Sequence, residues 1–192
     1  AQLRLELFSE YESMDTDSII SSALDIYSDE STIKNEFGDV LKITSEKEEI
    51  KDILHNLFYD VLNIEFNLWP WIRNMVKYGD FYLKLSILEK VGVVNVEPIS
   101  GYEVIREEGT DPERPEYVRF LHDPSMGGAT QHHKPAGSKT YFENYEVAHF
   151  RMLSDTNFLP YGKSVLEGAR KTWKQLTLME DAMMIHRIMR AP

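Results

Sequence analysis

The sequence has 192 residues, 42% hydrophobic and 28% charged, enough for one packed domain with an extension, and this excludes disorder throughout. It has no cysteine, which excludes disulfide frameworks, thiolate metal sites and cysteine nucleophiles. Its net charge of −11 sits mainly at one end, residues 1–60 holding 5 Lys and Arg against 15 Asp and Glu while residues 161–192 hold 6 against 3, which excludes a dedicated DNA-gripping domain.

Residues 2–12 read as a helix crowded with Leu3, Leu5, Leu7 and Phe8. A cap at Asp15 or Thr16 predicts a second helix, with Ile19, Ile20, Ala23, Leu24 and Tyr27 on its apolar stripe. Residues 39–44 alternate as a short strand. Ser45 and Glu48 form a capping box that predicts a helix over 46–62, with Ile50, Ile53, Leu54, Leu57, Phe58, Val61 and Leu62 inside. Asn67 is expected to cap the next helix, which carries Trp69 and Trp71, and Gly79 to end it in a left-handed conformation. The two tryptophans are two residues apart, so they face different ways and one is expected at the surface or an interface.

From Asp80 the period becomes two. Phe81, Leu83, Leu85 and Ile87 alternate with polar residues as a strand, and Gly92 turns the chain into Val93–Val96. Further strands are expected at 102–105, 117–121, 141–142 and 147–152, with a long flexible loop over 123–140. No run approaches the ~18 apolar residues of a membrane span. The resulting class is α+β: N-terminal helices packed with a mostly antiparallel sheet, followed by one long C-terminal helix.

Residues 163–190 read as that helix, about 40 Å long at 1.5 Å per residue. A capping box of Ser164 and Glu167 marks its start. Two apolar stripes run along it. Val165, Leu166, Ala169, Trp173, Leu176, Met183 and Met184 fall on one; Leu178, Ala182, Ile185 and Met189 fall roughly opposite. A helix facing one core shows one stripe, so two stripes imply two neighbours. A domain built from the preceding residues has a radius of gyration near ~15 Å and would barely span such a helix. The alternatives are a central helix buried within its own protein and a strut meeting copies of itself on either side.

Catalytic, cofactor and metal constellations are not expected. Gly162-Lys163-Ser164 looks like the end of a phosphate-binding loop, but the glycine required five residues earlier is Asn157. His122, His132, His133 and His149 lack a fixed ligand spacing. Glu107, Glu108 and Asp111 read as a solvated turn rather than an acid–base pair.

The segments Trp69-Pro-Trp-Ile-Arg, Tyr78-Gly-Asp-Phe-Tyr-Leu, Glu146-Val-Ala-His-Phe-Arg and Tyr161-Gly-Lys-Ser-Val-Leu-Glu-Gly-Ala-Arg-Lys-Thr-Trp, closing on Ile185-His-Arg-Ile-Met-Arg-Ala-Pro, resemble the portal vertex proteins of T4-like tailed bacteriophages. The resemblance is strongest at 141–192. It implies a wing-like α+β domain over 1–160 and a stem-like helix over 161–192. It also implies a homo-oligomeric, dodecameric ring at the capsid vertex of a virion, assembled in the host cytoplasm. Partners would be capsid, terminase and neck proteins, with duplex DNA passing weakly through the channel during packaging and ejection. The subunit contacts would fall on Val165, Ala169, Trp173, Leu176, Leu178, Ala182, Met183, Ile185 and Met189. An interaction module of another ring or scaffold, without a DNA channel, is the alternative, and an enzyme a distant third. With Ala1-Gln2-Leu3-Arg4 at one end and Ala191-Pro192 at the other, the chain is expected to be a piece of a longer protein.

Overall fold

The computed structural model of the chain describes residues 2–110, 112–126, 139–153 and 159–190. Helix α1 spans Gln2–Asp15 and α2 spans Ser18–Ser31. The cap of α2 is Asp17, which accepts from the amides of Ile19 and Ile20, not Asp15 or Thr16. Asp15 is unavailable because Arg73 and Lys77 hold its carboxylate. The buried face of α2 also differs from expectation. Leu24 and Ser28 point inward, while Ile19, Ala23 and Tyr27 are exposed.

Residues 39–44 do not form a strand, because no strand lies beside them. The amides of Val40 and Leu41 go instead to the Glu65 carboxylate, and the Tyr59 hydroxyl donates to the Leu41 carbonyl. Helix α3 is shorter than expected, Glu48–His55, and continues as a π-helical segment over Asn56–Val61. Ser45 accepts from the Lys47 amide, so its cap falls short of the helix proper. Ile50, Ile53 and Val61 are exposed rather than inside. Helix α4, Ile64–Tyr78, begins before Asn67, whose side chain bonds back to the Asn63 carbonyl from within the first turn. It ends as expected at Gly79, with φ of 86°.

Strands β1 (Asp80–Leu88), β2 (Gly92–Ile99), β3 (Val104–Glu108), β4 (Val118–His122), β5 (Thr140–Glu143) and β6 (Val147–Arg151) make two antiparallel three-stranded sheets. Their orders are β2-β1-β6 and β3-β4-β5. Tyr82, Val104, Phe120 and Val147, drawn from both, form one core cluster. A second cluster joins Phe8, Tyr11, Met14, Leu24 and Val76 of the helices to Leu166. The chain is therefore α+β, and it ends in a long helix, α5, over Arg170–Arg190. Most of the expected loop, residues 127–138, lies outside the described residues, as do His132 and His133.

Candidate subunit interface

Helix α5 does not start at Ser164. A 3-10 turn over Val165–Gly168 comes first, capped by Ser164, whose hydroxyl accepts from the Leu166 amide at 3.0 Å. The tighter turn has a physical cause. Leu166 is drawn into the helical core, and the Ser164 hydroxyl also bonds the last-turn carbonyl of Val76, so the root is pinned before the α-helix begins.

Just before that turn, Asp80 fixes the root to the sheet. Its buried carboxylate accepts from the Gly162 amide at 2.9 Å and from His149 Nε2 at 2.8 Å, with the Arg4 guanidinium 4.0 Å away. Arg106 approaches His149 Nδ1 at 3.1 Å. A guanidinium only donates, so Nδ1 accepts and Nε2 carries the proton given to Asp80. Tyr82 stacks flat on the imidazole, its ring centroid 4.4 Å distant. Thus one carboxylate ties α1, β1, β6 and the root of α5 together.

A second clamp holds the 3-10 turn and the first turns of α5 on α1. Tyr11 donates to Glu167 at 2.6 Å, while Arg170 and Lys174 both reach Glu10, at 3.4 and 2.6 Å. Burial, reinforced by Glu167, pushes the Tyr11 phenol well above its usual range. Underneath, Arg73 of α4 bonds Asp15 and Asp25, and Lys77 bonds Asp15 at 2.8 Å. Burial opposes the ionised form of Asp15, but the Arg73 and Lys77 hydrogen bonds outweigh it and hold its pKa down at about 2. Charge spacing in the sequence gave no signal of this network, because its bonded pairs are 48 to 62 positions apart.

From Gln175 onward every residue of α5 is exposed. That projecting part is about 24 Å long. The nine residues read as contacts divide accordingly. Val165 and Trp173 are half-buried against the helical core, and Ala169 is exposed at the joint. Leu176, Met183, Leu178, Ala182, Ile185 and Met189 are all exposed on the projection, Leu178 at 69% and Met189 at 76%. Both stripes are therefore bare there, with no described residue of this chain packed on 175–190.

The other residues singled out in the sequence have local partners. The Gly162 amide, where a phosphate would be expected in a P-loop, is taken by Asp80, and Asn157 lies outside the described residues. His122 bonds Glu103 at 3.0 Å in the second sheet, away from His149 in the first. Glu107 and Glu108 lie on β3 rather than in a turn and pair with Arg119 and Arg106; Asp111 is outside the described residues. Trp69 and Trp71 are both half-buried, Trp69 donating to Asp29 of α2 and Trp71 packing near Phe81. No described helix is long and apolar enough to cross a membrane.

The described residues thus make an α+β body with a long helix anchored at one end and exposed beyond it. The family described as Bacteriophage T4-like portal protein (Gp20) matches residues 4–192, so the chain belongs to that family. Among individual curated proteins there is no significant match.

Proposed function

We propose that this chain is a structural, non-enzymatic subunit of a phage portal ring. Residues 1–160 form the wing and 161–192 the first stem helix. The ring, a dodecamer by family resemblance, sits at the capsid vertex and conducts DNA during packaging and ejection. Capsid, terminase and neck proteins are its partners, and assembly takes place in the host cytoplasm. Family membership supports this reading, and the observation that carries it is the projection of α5, with apolar side chains of both stripes open to solvent. About four turns of helix lined with exposed Leu, Ile and Met would not persist unpartnered; such surfaces mark interaction sites.

The test is assembly of the full-length protein with Ala182→Glu and Ile185→Glu. An unpaired carboxylate placed in a packed interface costs several kcal/mol, repeated at each contact around a ring. Both positions are exposed in the single subunit, so circular dichroism should be unchanged. Sedimentation should show the ring lost. Normal rings from both variants would overturn the role of this stripe, and an assembly without an axial opening in electron micrographs would favour a scaffold module over a channel.

A further inference from the structure

We propose that the outward face of α2 is the seat for the second stripe of α5 from a neighbouring copy of this chain, the two helices lying antiparallel. This rests on the ring reading and names a specific contact within it.

The face is bare. Opposite the buried Leu24 and Ser28, α2 presents Ile19, Ala23, Ile26 and Glu30, with Ile19 at 79% and Ile26 at 59% exposure. Their spacing is +4, +3, +4. The bare line Leu178, Ala182, Ile185, Met189 on α5 has the same spacing, so ridges of one helix can enter grooves of the other. Antiparallel alignment sets Ala182 against Ile26 and Ala23 against Ile185, small residue against large on both sides. Parallel alignment would set alanine against alanine and leave a void between the helices.

Charge agrees with the same orientation. Residues 5–33 contain no Lys or Arg, and the α2 face is bounded by Asp17 and Glu30. The α5 line ends in Arg187 and Arg190, while Lys174 at its other end is held by Glu10 of its own subunit. Antiparallel alignment brings Arg190 within a turn of Asp17 and opposes the two helix dipoles. Two different faces of the subunit make a head-to-tail contact, the kind that closes into rings.

These 192 residues contain no cysteine, and any cysteine elsewhere in the full-length protein is first changed to serine so that engineered pairs report without background. Full-length protein carrying Ala23→Cys is mixed with protein carrying Ile185→Cys before assembly, then oxidised. Both sites are exposed, and circular dichroism checks that each variant folds. A disulfide-linked dimer in the mixture, but in neither variant alone, is the expected result. The double variant should give a ladder of covalent multimers. Wild-type rings together with Ile185→Cys that links to Met183→Cys, or to itself, and not to Ala23→Cys would overturn this contact while leaving the ring intact. Absence of assembly by wild-type protein would overturn the ring reading, and the contact with it.

Discussion

The backbones of Gly79 and Gly162 cross with no room for a methyl group between them. A Cβ on Gly162 would lie 2.0 Å from the Gly79 carbonyl oxygen, and one on Gly79 would lie 2.7 Å from the Lys163 carbonyl carbon. The same Gly79 carbonyl accepts from the Met152 amide at 2.9 Å. The end of α4, the end of β6 and the root of α5 thus meet at one point.

Gly162→Ala is therefore expected to destabilise the fold by about 3 kcal/mol or more, since backbone must shift to admit the methyl group. Gly79→Ala adds the strain of a positive φ to a comparable clash. Urea unfolding followed by tryptophan fluorescence measures both. A change below about 0.5 kcal/mol for Gly162→Ala, the level of an ordinary surface substitution, would contradict the crossing.

The Asp15 network makes an acid-dependent contribution. Its carboxyl is lowered from 3.8 to about 2, so the folded state favours the ionised form. That stability is complete above pH ~4 and is lost as pH falls from there through about 2, amounting to about 2 kcal/mol at neutral pH. Asp15→Asn should be less stable than wild type by about this amount at pH 6, and the two should converge towards pH 2. A difference that does not change with pH would sink the assignment.

At the other end of the scale, burial pushes the phenols of Tyr11, Tyr78, Tyr82 and Tyr102 upward, with neighbouring carboxylates adding to it for Tyr11, Tyr78 and Tyr102. A raised acid is neutral in the fold, so its stability is intact below pH ~10 and is lost above it as the unfolded chain ionises. Of the 10 tyrosines, these four should ionise only together with unfolding in an absorbance titration at alkaline pH. Smooth titration of all of them near pH ~10 in folded protein would be the contrary outcome.

Truncations along the C-terminal helix should divide sharply. Leu166 is 6% exposed within the helical core, and Leu166→Ala should cost about 3 kcal/mol. Leu178 is 69% exposed, and Leu178→Ala in the single subunit should cost less than about 0.5 kcal/mol. Equal losses at the two sites, measured by denaturant midpoints, would mean that the projecting half is packed after all.

Much of this was legible in the residues, and the failures have particular causes. The alternation after Asp80 marked β1, although both faces of its first half are buried, with Tyr82 at 0% exposure on one and Leu83 at 5% on the other. Tyr78-Gly79-Asp80 marked the end of α4 because only glycine takes its φ of 86° at little cost. Residues 39–44 misled because alternation records a pattern, not a partner, and their amides found Glu65. In α2 two apolar lines lie on one helix, and composition alone does not say which faces the core. Ser164 was identified as a cap, but the 3-10 turn behind it is set by Leu166 reaching Phe8, Tyr11 and Val76, contacts far away in sequence. The Asp80, His149 and Gly162 junction was equally silent. Its only trace was three short motifs, each ordinary by itself.

The clamps on α5 are confined to its start, with Lys174 the last residue to bond α1. Mechanically the helix is a cantilever. With a free arm of about 24 Å, each degree of rotation about Lys174 sweeps the position of Met189 through about 0.4 Å. Small adjustments at the last clamp are thereby converted into displacements large enough to slide one side chain past another at the tip. The length of the free arm sets the gain of that lever, and the Glu10 pairs with Arg170 and Lys174 decide how stiff its hinge is.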